Sequence, residues 1–276
     1  MMADPCLTGR RLAEIQRSPS SSRAGLRLPG KPVDDMPLTK LHPPREALMR
    51  LAAQGLMPTN LSSEELLGLS VDLRERAFFS ARVMNRDFLD KVKETVTEFV
   101  RPQTVIRDGL PVTEGLDIAT ARLRLKDMLT SIGYQPDPKK RGTIEDLGSN
   151  QRLDLVLRTN AKQAQGFANW RQSQDNDILF AAPAQELFRA ESREVPRNWQ
   201  ERWANAGGQS FGGRLIAVKN APIWTAISRF GLPYPPFDFN SGMDVRDVER
   251  AEAISLGVIS EGDRVAPEKR SFELTE

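Results

Sequence analysis

The chain has 276 residues, with 39 Lys and Arg against 37 Asp and Glu, a formal net charge of +2, and one histidine and one cysteine, His42 and Cys6. Those two single counts weigh against zinc sites, which need about three or four protein ligands, against Cys–His nucleophiles, and against any disulfide within the chain. The balanced charge gives no ground for wholesale nucleic-acid binding. No apolar run reaches the roughly 18 residues of a membrane span, and Met1–Pro5 opens no signal-peptide stretch, so a soluble protein made inside a cell is expected.

Residues 1–42 read as a mildly basic, disordered arm. Ser18-Pro19-Ser20-Ser21-Ser22 and Pro29-Gly30-Lys31-Pro32 break any periodicity, and aromatics are absent. An idle tail and a docking arm both fit. Pro43–Pro44 suits a first helical turn, and Gly55 is expected as its left-handed stop. Ser62-x-x-Glu65 is a capping box, opening helical structure expected to run towards Val83. The clearest helix follows Asn85, where Phe88, Leu89, Val92, Val96, Phe99 and Val100 form one apolar stripe and Pro102 ends it. A weaker helix over 116–132 presents Leu123, Met128, Leu129 and Ile132 and is closed by Gly133.

A polar loop containing Lys139-Lys140-Arg141 leads to a long helix from Asn150 to about Ser173. Its stripe holds Leu153, Val156, Leu157, Ala164, Phe167 and Trp170, with Asn160 on the same side. A buried Asn160 should hydrogen-bond specifically, and Asn160→Ala should then cost about 1–3 kcal/mol. Asp177–Phe180 and Glu186–Ala190 read as short strands. Trp199, Trp203, Gly207, Gly208, Gly212 and Gly213 mark a loop-rich stretch, and four prolines keep residues 222–236 irregular. Asp247 is expected to cap a last helix, Val248–Leu256, ended by Gly257. The whole predicts an α+β fold: a helical region over 43–149, a small α+β module with short strands and Pro/Gly-rich loops over 150–260, and a flexible tail over 261–276.

Searches for nucleotide-binding glycine loops, nucleophile elbows and zinc helices return nothing. Asp238, Asn240, Gly242 and Asp244 alternate as in a calcium loop, but Met243 stands where the turn glycine is required and Arg246 lies at the ninth place. The favoured alternative is structural. Asn240 and Gly242 make a turn, and Phe237 and Phe239 point to one face. The four tryptophans, Trp170, Trp199, Trp203 and Trp224, anchor a small core, with a partner surface as second choice. Lys139-Lys140-Arg141 reads as a solvated loop, with phosphate contact as the lesser alternative.

In order along the chain, three segments resemble the phage Mu F-like family, the minor head or head-morphogenesis proteins encoded near the portal of tailed phages. The first is Asp72-Leu-Arg-Glu-Arg-Ala-Phe-Phe79 with Asp87–Val100. The second is Arg152-Leu-Asp-Leu-Val-Leu-Arg158-Thr159-Asn160. The third runs from Glu191 through Pro196-Arg197-Asn198-Trp199 to Pro235-Pro236-Phe237, Asn240, Arg246 and Asp247. Where many members carry a Cys-Arg-Cys triplet and an upstream histidine, this chain has Ser241-Gly242-Met243 and Asn198. The likeness spans roughly residues 45–260.

The resemblance implies a non-enzymatic head component without cofactor, metal or small-molecule substrate. Portal, head or scaffold proteins would be its partners, with DNA contacted through the arm as a further possibility. It would occupy the host cytoplasm during assembly and then the inside of the virion head. Under it, Arg158, Thr159, Asn160, Asn240 and Arg246 tie the long helix to the proline-rich loop. Arg197, Trp199, Pro235, Pro236 and Asp247 complete the candidate interaction set. The alternatives are a carboxylate-dependent nuclease holding Mg²⁺ with Asp238, Asp244, Asp247 and Glu249, and a DNA-packing protein working through residues 1–42.

Overall fold

The first described helix, α1 (Arg45–Ala53), does not end on a left-handed Gly55. Its last carbonyls are taken instead by a distant cation, with Lys93 Nζ donating to the Gln54 carbonyl at 2.6 Å. Gly55 is thereby free to continue extended, and Gly55–Leu56 (β1) pairs in parallel with Ala77–Phe78 (β2). These elements belong to a computed structural model that describes residues 45–108 and 110–270. The expected arm, with His42 and Cys6, and residues 271–276 lie outside them.

The capping box forms as expected. Ser62 Oγ accepts from the Glu65 N–H, and the Glu65 carboxylate accepts from the Ser62 N–H at 2.7 Å. It opens only a short helix, α2 (Ser63–Leu67), followed by α3 (Val71–Arg76). Helix does not reach Val83, because Ala77 and Phe78 are buried in strand conformation against β1. The apolar stripe after Asn85 becomes α4 (Arg86–Val100), with Asn85 accepting from the Phe88 N–H at 2.8 Å.

A hairpin absent from the sequence reading follows, β3 (Gln103–Arg107) and β4 (Leu110–Glu114), with Asp108 after β3 at φ +51°. In the sequence, Asp-Gly between runs that hold Thr104-Val105-Ile106 and Val112-Thr113 is a hairpin signal in its own right.

The helix over 118–131 is α5 (Ile118–Ser131), but it buries Ala121, Leu125 and Leu129, and Leu123 and Ile132 face solvent. The inward side is the one on which a small residue, Ala121, allows close approach to α4 and to the long helix α6 (Asn150–Ser173). Gly133 closes α5 at φ +72°. Ser149 caps α6, and Leu153, Leu157, Ala161, Ala164, Phe167 and Trp170 are buried along it. Helices α1, α4, α5 and α6 enclose one core.

The expected strand Asp177–Phe180 is instead helix α7 (Asn176–Ala181). The Asp175 carboxylate accepts from the Asp177 and Ile178 N–H groups and sets a helical start there. Strand β5 (Ala184–Arg189) covers most of the expected Glu186–Ala190. The stretch read as loop-rich holds α8 (Trp199–Asn205), β6 (Ser210–Phe211) and β7 (Arg214–Val218). Asn198 caps α8, Trp199 and Trp203 are one turn apart on its buried face, and Gly212–Gly213, both at positive φ, make the β6–β7 turn.

After a short α9 (Ile223–Ala226) the proline-rich loop leads to β8 (Met243–Val248) and α10 (Arg250–Ser255). The sheet order is β6-β7-β5-β8, antiparallel throughout. Asp247 does not cap the last helix. It sits in β8 opposite Gln185, because Val248 must stay in the strand to bury itself opposite Ala184. Glu249 occupies the cap position, and Gly257 ends α10's turn at φ +74°.

The fold is α+β, and all four tryptophans are buried. Trp203, Trp224 and Phe237 pack with Leu187 beneath one face of the sheet, and Ala184, Ile216 and Val248 pack with Ala253 on the other. Phe237 and Phe239 do not share a face. Phe237 stacks on Trp224 at 6.0 Å, and Phe239 meets Phe230 edge-on at 4.8 Å, because the chain there bends rather than runs as a strand. A bridging cluster of Phe167, Trp170, Phe230, Leu232 and Tyr234 joins α6 to the loop. The expected tail is tied down as far as Arg270: the Ala266 carbonyl accepts from Asn220, and the Glu268 N–H donates to Gln174 Oε1 at 2.8 Å.

Candidate functional site

Helix α6 lays Arg158, Thr159, Lys162 and Gly166 along one side, facing the loop that carries Pro235 and Pro236. A Cβ on Gly166 would stand 2.0 Å from the Pro235 carbonyl oxygen, so helix and loop meet at this distance only because residue 166 is glycine. The Pro235–Pro236 peptide is cis. The loop then turns through Asn240 (φ +48°) and Gly242 (φ +67°). A Cβ on Gly242 would lie 2.5 Å from the Glu191 carbonyl oxygen, which closes the loop tightly against the end of β5.

Four of the residues singled out in the sequence, Arg158, Thr159, Pro236 and Asn240, line one cavity of about 130 Å³. The tie across this seam is made by residues that the sequence reading did not select. Glu191 is ion-paired with Lys162 of α6 and with Arg193, and Arg193 Nε donates to the Asn240 carbonyl at 2.8 Å. Lys162, with Arg193 beside it, holds the Glu191 carboxyl below its ordinary value despite partial burial. Asn160 does not bridge to the loop. It is half-buried, and its Nδ2 donates to the Val156 carbonyl of its own helix at 2.8 Å.

Asp238 is buried at the base of the loop. Arg202 Nη1 reaches it at 2.9 Å, and Arg197 and Arg229 each stand 3.7 Å away. Arg202 also lies 4.8 Å over the Trp199 ring, so Arg197 and Trp199 reach the loop through this carboxylate. Arg246 and Asp247 lie elsewhere, on β8. Arg246 Nη2 and Arg214 Nη2 clamp the buried Glu186 at 2.8 and 2.6 Å. Burial pushes that carboxyl up, but the two guanidinium groups outweigh it and hold it below the ordinary value. Asp247 pairs at 2.9 Å with Lys219, whose side chain is 1% exposed. Asp238, Asp247 and Glu249 thus hold separate places. Among the described residues no three His, Cys, Asp or Glu side chains gather closely enough to hold a metal ion.

A second, deeper arrangement carries no sequence signal. Arg50 of α1, Glu75 of α3 and Tyr234 of the loop are all 2% exposed. Tyr234 donates to Glu75 Oε1 at 3.0 Å and accepts from Arg50. Arg270 Nη2 reaches Glu75 Oε2 at 3.1 Å. Burial pushes the Tyr234 hydroxyl well above its ordinary value, so it remains a donor. Beside this network, α2, α3, α6 and the loop enclose a larger cavity of about 530 Å³, with Thr159 and Asn160 in its wall.

The fold and seam together define a helical layer clasped through one long helix to a small antiparallel module. Compared with known proteins, the chain matches no family model, no curated protein and no solved structure. Among the described residues no helix is long and apolar enough to cross a membrane.

Proposed function

We propose that the chain is a minor head protein of a tailed phage, associated with the portal and acting in head assembly, DNA packaging or ejection. The observation that carries this is the convergence of separate motif segments. Arg158 and Thr159 of the central helix meet Pro236 and Asn240, some eighty residues later, around one small cavity. In the resemblance these segments belong to different motifs of one module, and their meeting is what a shared module requires. The role is non-enzymatic, with portal and other head or scaffold proteins as partners and the basic N-terminal arm as the candidate contact for DNA. The protein would work in the host cytoplasm during assembly and inside the head afterwards.

Two measurements test this. Tagged chain, expressed with the portal and shell genes of its own genome, should bring portal protein with it from isolated proheads. Proheads that recover portal without the chain would overturn the assignment. Calorimetric titration of the purified chain with Mg²⁺, Mn²⁺ and Ca²⁺ should give no saturable heat, and a saturating isotherm would favour the nuclease alternative instead.

A further inference from the structure

The cavity of about 530 Å³ has apolar walls and a cationic rim that is only partly compensated. Leu66, Leu67, Phe79, Phe230, Leu232 and Phe239 supply the apolar surface. Four arginines and two glutamates line it, and two of the arginines are already matched. Arg50 engages Glu75, and Arg229 engages Glu64 and Asp238.

The other two arginines spend their donors on neutral oxygens. Arg74 Nε and Nη1 donate to the carbonyls of Leu69 and Phe230 at 3.1 and 2.9 Å. Arg152 Nη2 donates to Ser80 Oγ at 3.0 Å and to the Ala81 carbonyl at 2.7 Å, and its buried Nε has no hydrogen-bond partner among the described residues. No carboxylate among the described residues stands within ion-pair distance of either group. Burial lowers both guanidinium groups from their ordinary values, yet arginine stays charged at neutral pH.

A half-buried guanidinium with no carboxylate in contact is costly; the Glu75 charge offsets part of that cost for Arg74 but none for Arg152, and an anion in the cavity would remove the remainder. Thr159, Asn160 and Gln163 add neutral polar groups from α6 to the same wall. The volume lies in the range of ordinary ligand sites.

We propose that this cavity binds an apolar anion: a hydrocarbon or aromatic body seated among Leu66, Leu67, Phe230 and Phe239, with one carboxylate paired to Arg152 and Arg74. The same chemistry is offered by a free amphiphilic acid and by an acidic side chain flanked by apolar residues in a partner's peptide segment. The inference is independent of the head-protein assignment.

Calorimetry on the full chain tests it with phenylbutyrate and its neutral isostere phenylbutanol, and with the peptide acetyl-Leu-Asp-Phe-Leu-amide and its Asn counterpart. At least one acid should bind about tenfold or more tightly than its neutral partner. Arg152→Gln or Arg74→Gln should erase that preference and leave the neutral compound's affinity unchanged. Val156→Trp, which fills the cavity from α6, should block both compounds. Preference for the free acid alone assigns a small ligand, and preference for the acidic peptide alone assigns a protein segment. Equal binding of acid and neutral compound, no saturable binding by any probe, or a preference that survives both arginine substitutions in variants with a wild-type melt would overturn the proposal.

Discussion

Glu75 and Asn160 show how differently two polar residues on helices weigh in this molecule. Glu75 is enclosed by Arg50, Tyr234 and Arg270, and its loss takes the buried carboxylate away from the Arg50 and Arg270 guanidinium groups. Glu75→Ala is expected to cost about 3–5 kcal/mol, read as a fall in the denaturant midpoint. Among the described residues the hydrogen-bond partner of the Asn160 side chain lies in its own helix, so Asn160→Ala should change stability by less than about 0.5 kcal/mol, well under the sequence-based expectation.

Asp146 lies between these two cases. Burial pushes its carboxyl up, but N–H donors from Gly142 and Gly148, both at 2.8 Å, and the Tyr134 hydroxyl bring it below the ordinary value of 3.8. The folded chain therefore binds this proton less readily than the unfolded one. The stability it lends is full above the ordinary value and is lost as pH falls through the folded value. Asp146→Asn should cost about 1–3 kcal/mol at neutral pH and flatten that part of the acid limb, as followed by urea melts between pH 2 and 7.

Elements were legible where local signals were complete. Helix α4 announced itself through Asn85, a stripe and Pro102, α6 through its long stripe, and the Ser62–Glu65 box formed as written. Errors arose where a local signal was outvoted or overlooked. Gly55 read as a helix stop until Lys93, far along the chain, took over the capping. Val248 kept β8 extended and denied Asp247 its cap. The Asp-Gly pair at 108–109 and the Asp at 175 stood in the sequence as signals for the missed hairpin and for α7.

At the seam, Arg158, Thr159, Pro236 and Asn240 were legible as site residues, whereas Lys162, Arg193 and the glycine that lets helix and loop meet were not. A lone glycine inside a helix reads as a weakness. Gly166→Ala removes that weakness, worth about 0.5–1 kcal/mol by propensity alone. It is nevertheless expected to lower the melting temperature, because its methyl group has no room against the Pro235 carbonyl. A melt raised by the substitution would show that the loop can retreat.

The molecule as a whole is stitched by partners that no window of sequence brings together. Arg270 and Glu75 are 195 positions apart, Arg50 and Tyr234 are 184 apart, and nothing in either neighbourhood announces the other. Arg270→Met, which keeps the aliphatic stem beside Trp170 and removes the charge, should cost about 1–3 kcal/mol, measured by chemical denaturation.

The same stitch bears on the order in which the protein is made. A ribosome delivers α1 and α3 well before the proline-rich loop, with Arg50 and Glu75 already in place on them. The hydroxyl that joins these two charges arrives with residue 234, and the second guanidinium arrives only with residue 270. Until then α1 and α3 hold ionic groups that are better left in water than enclosed. The helices that carry Arg50 and Glu75 must therefore wait for residues 234 and 270 before this part of the core can close.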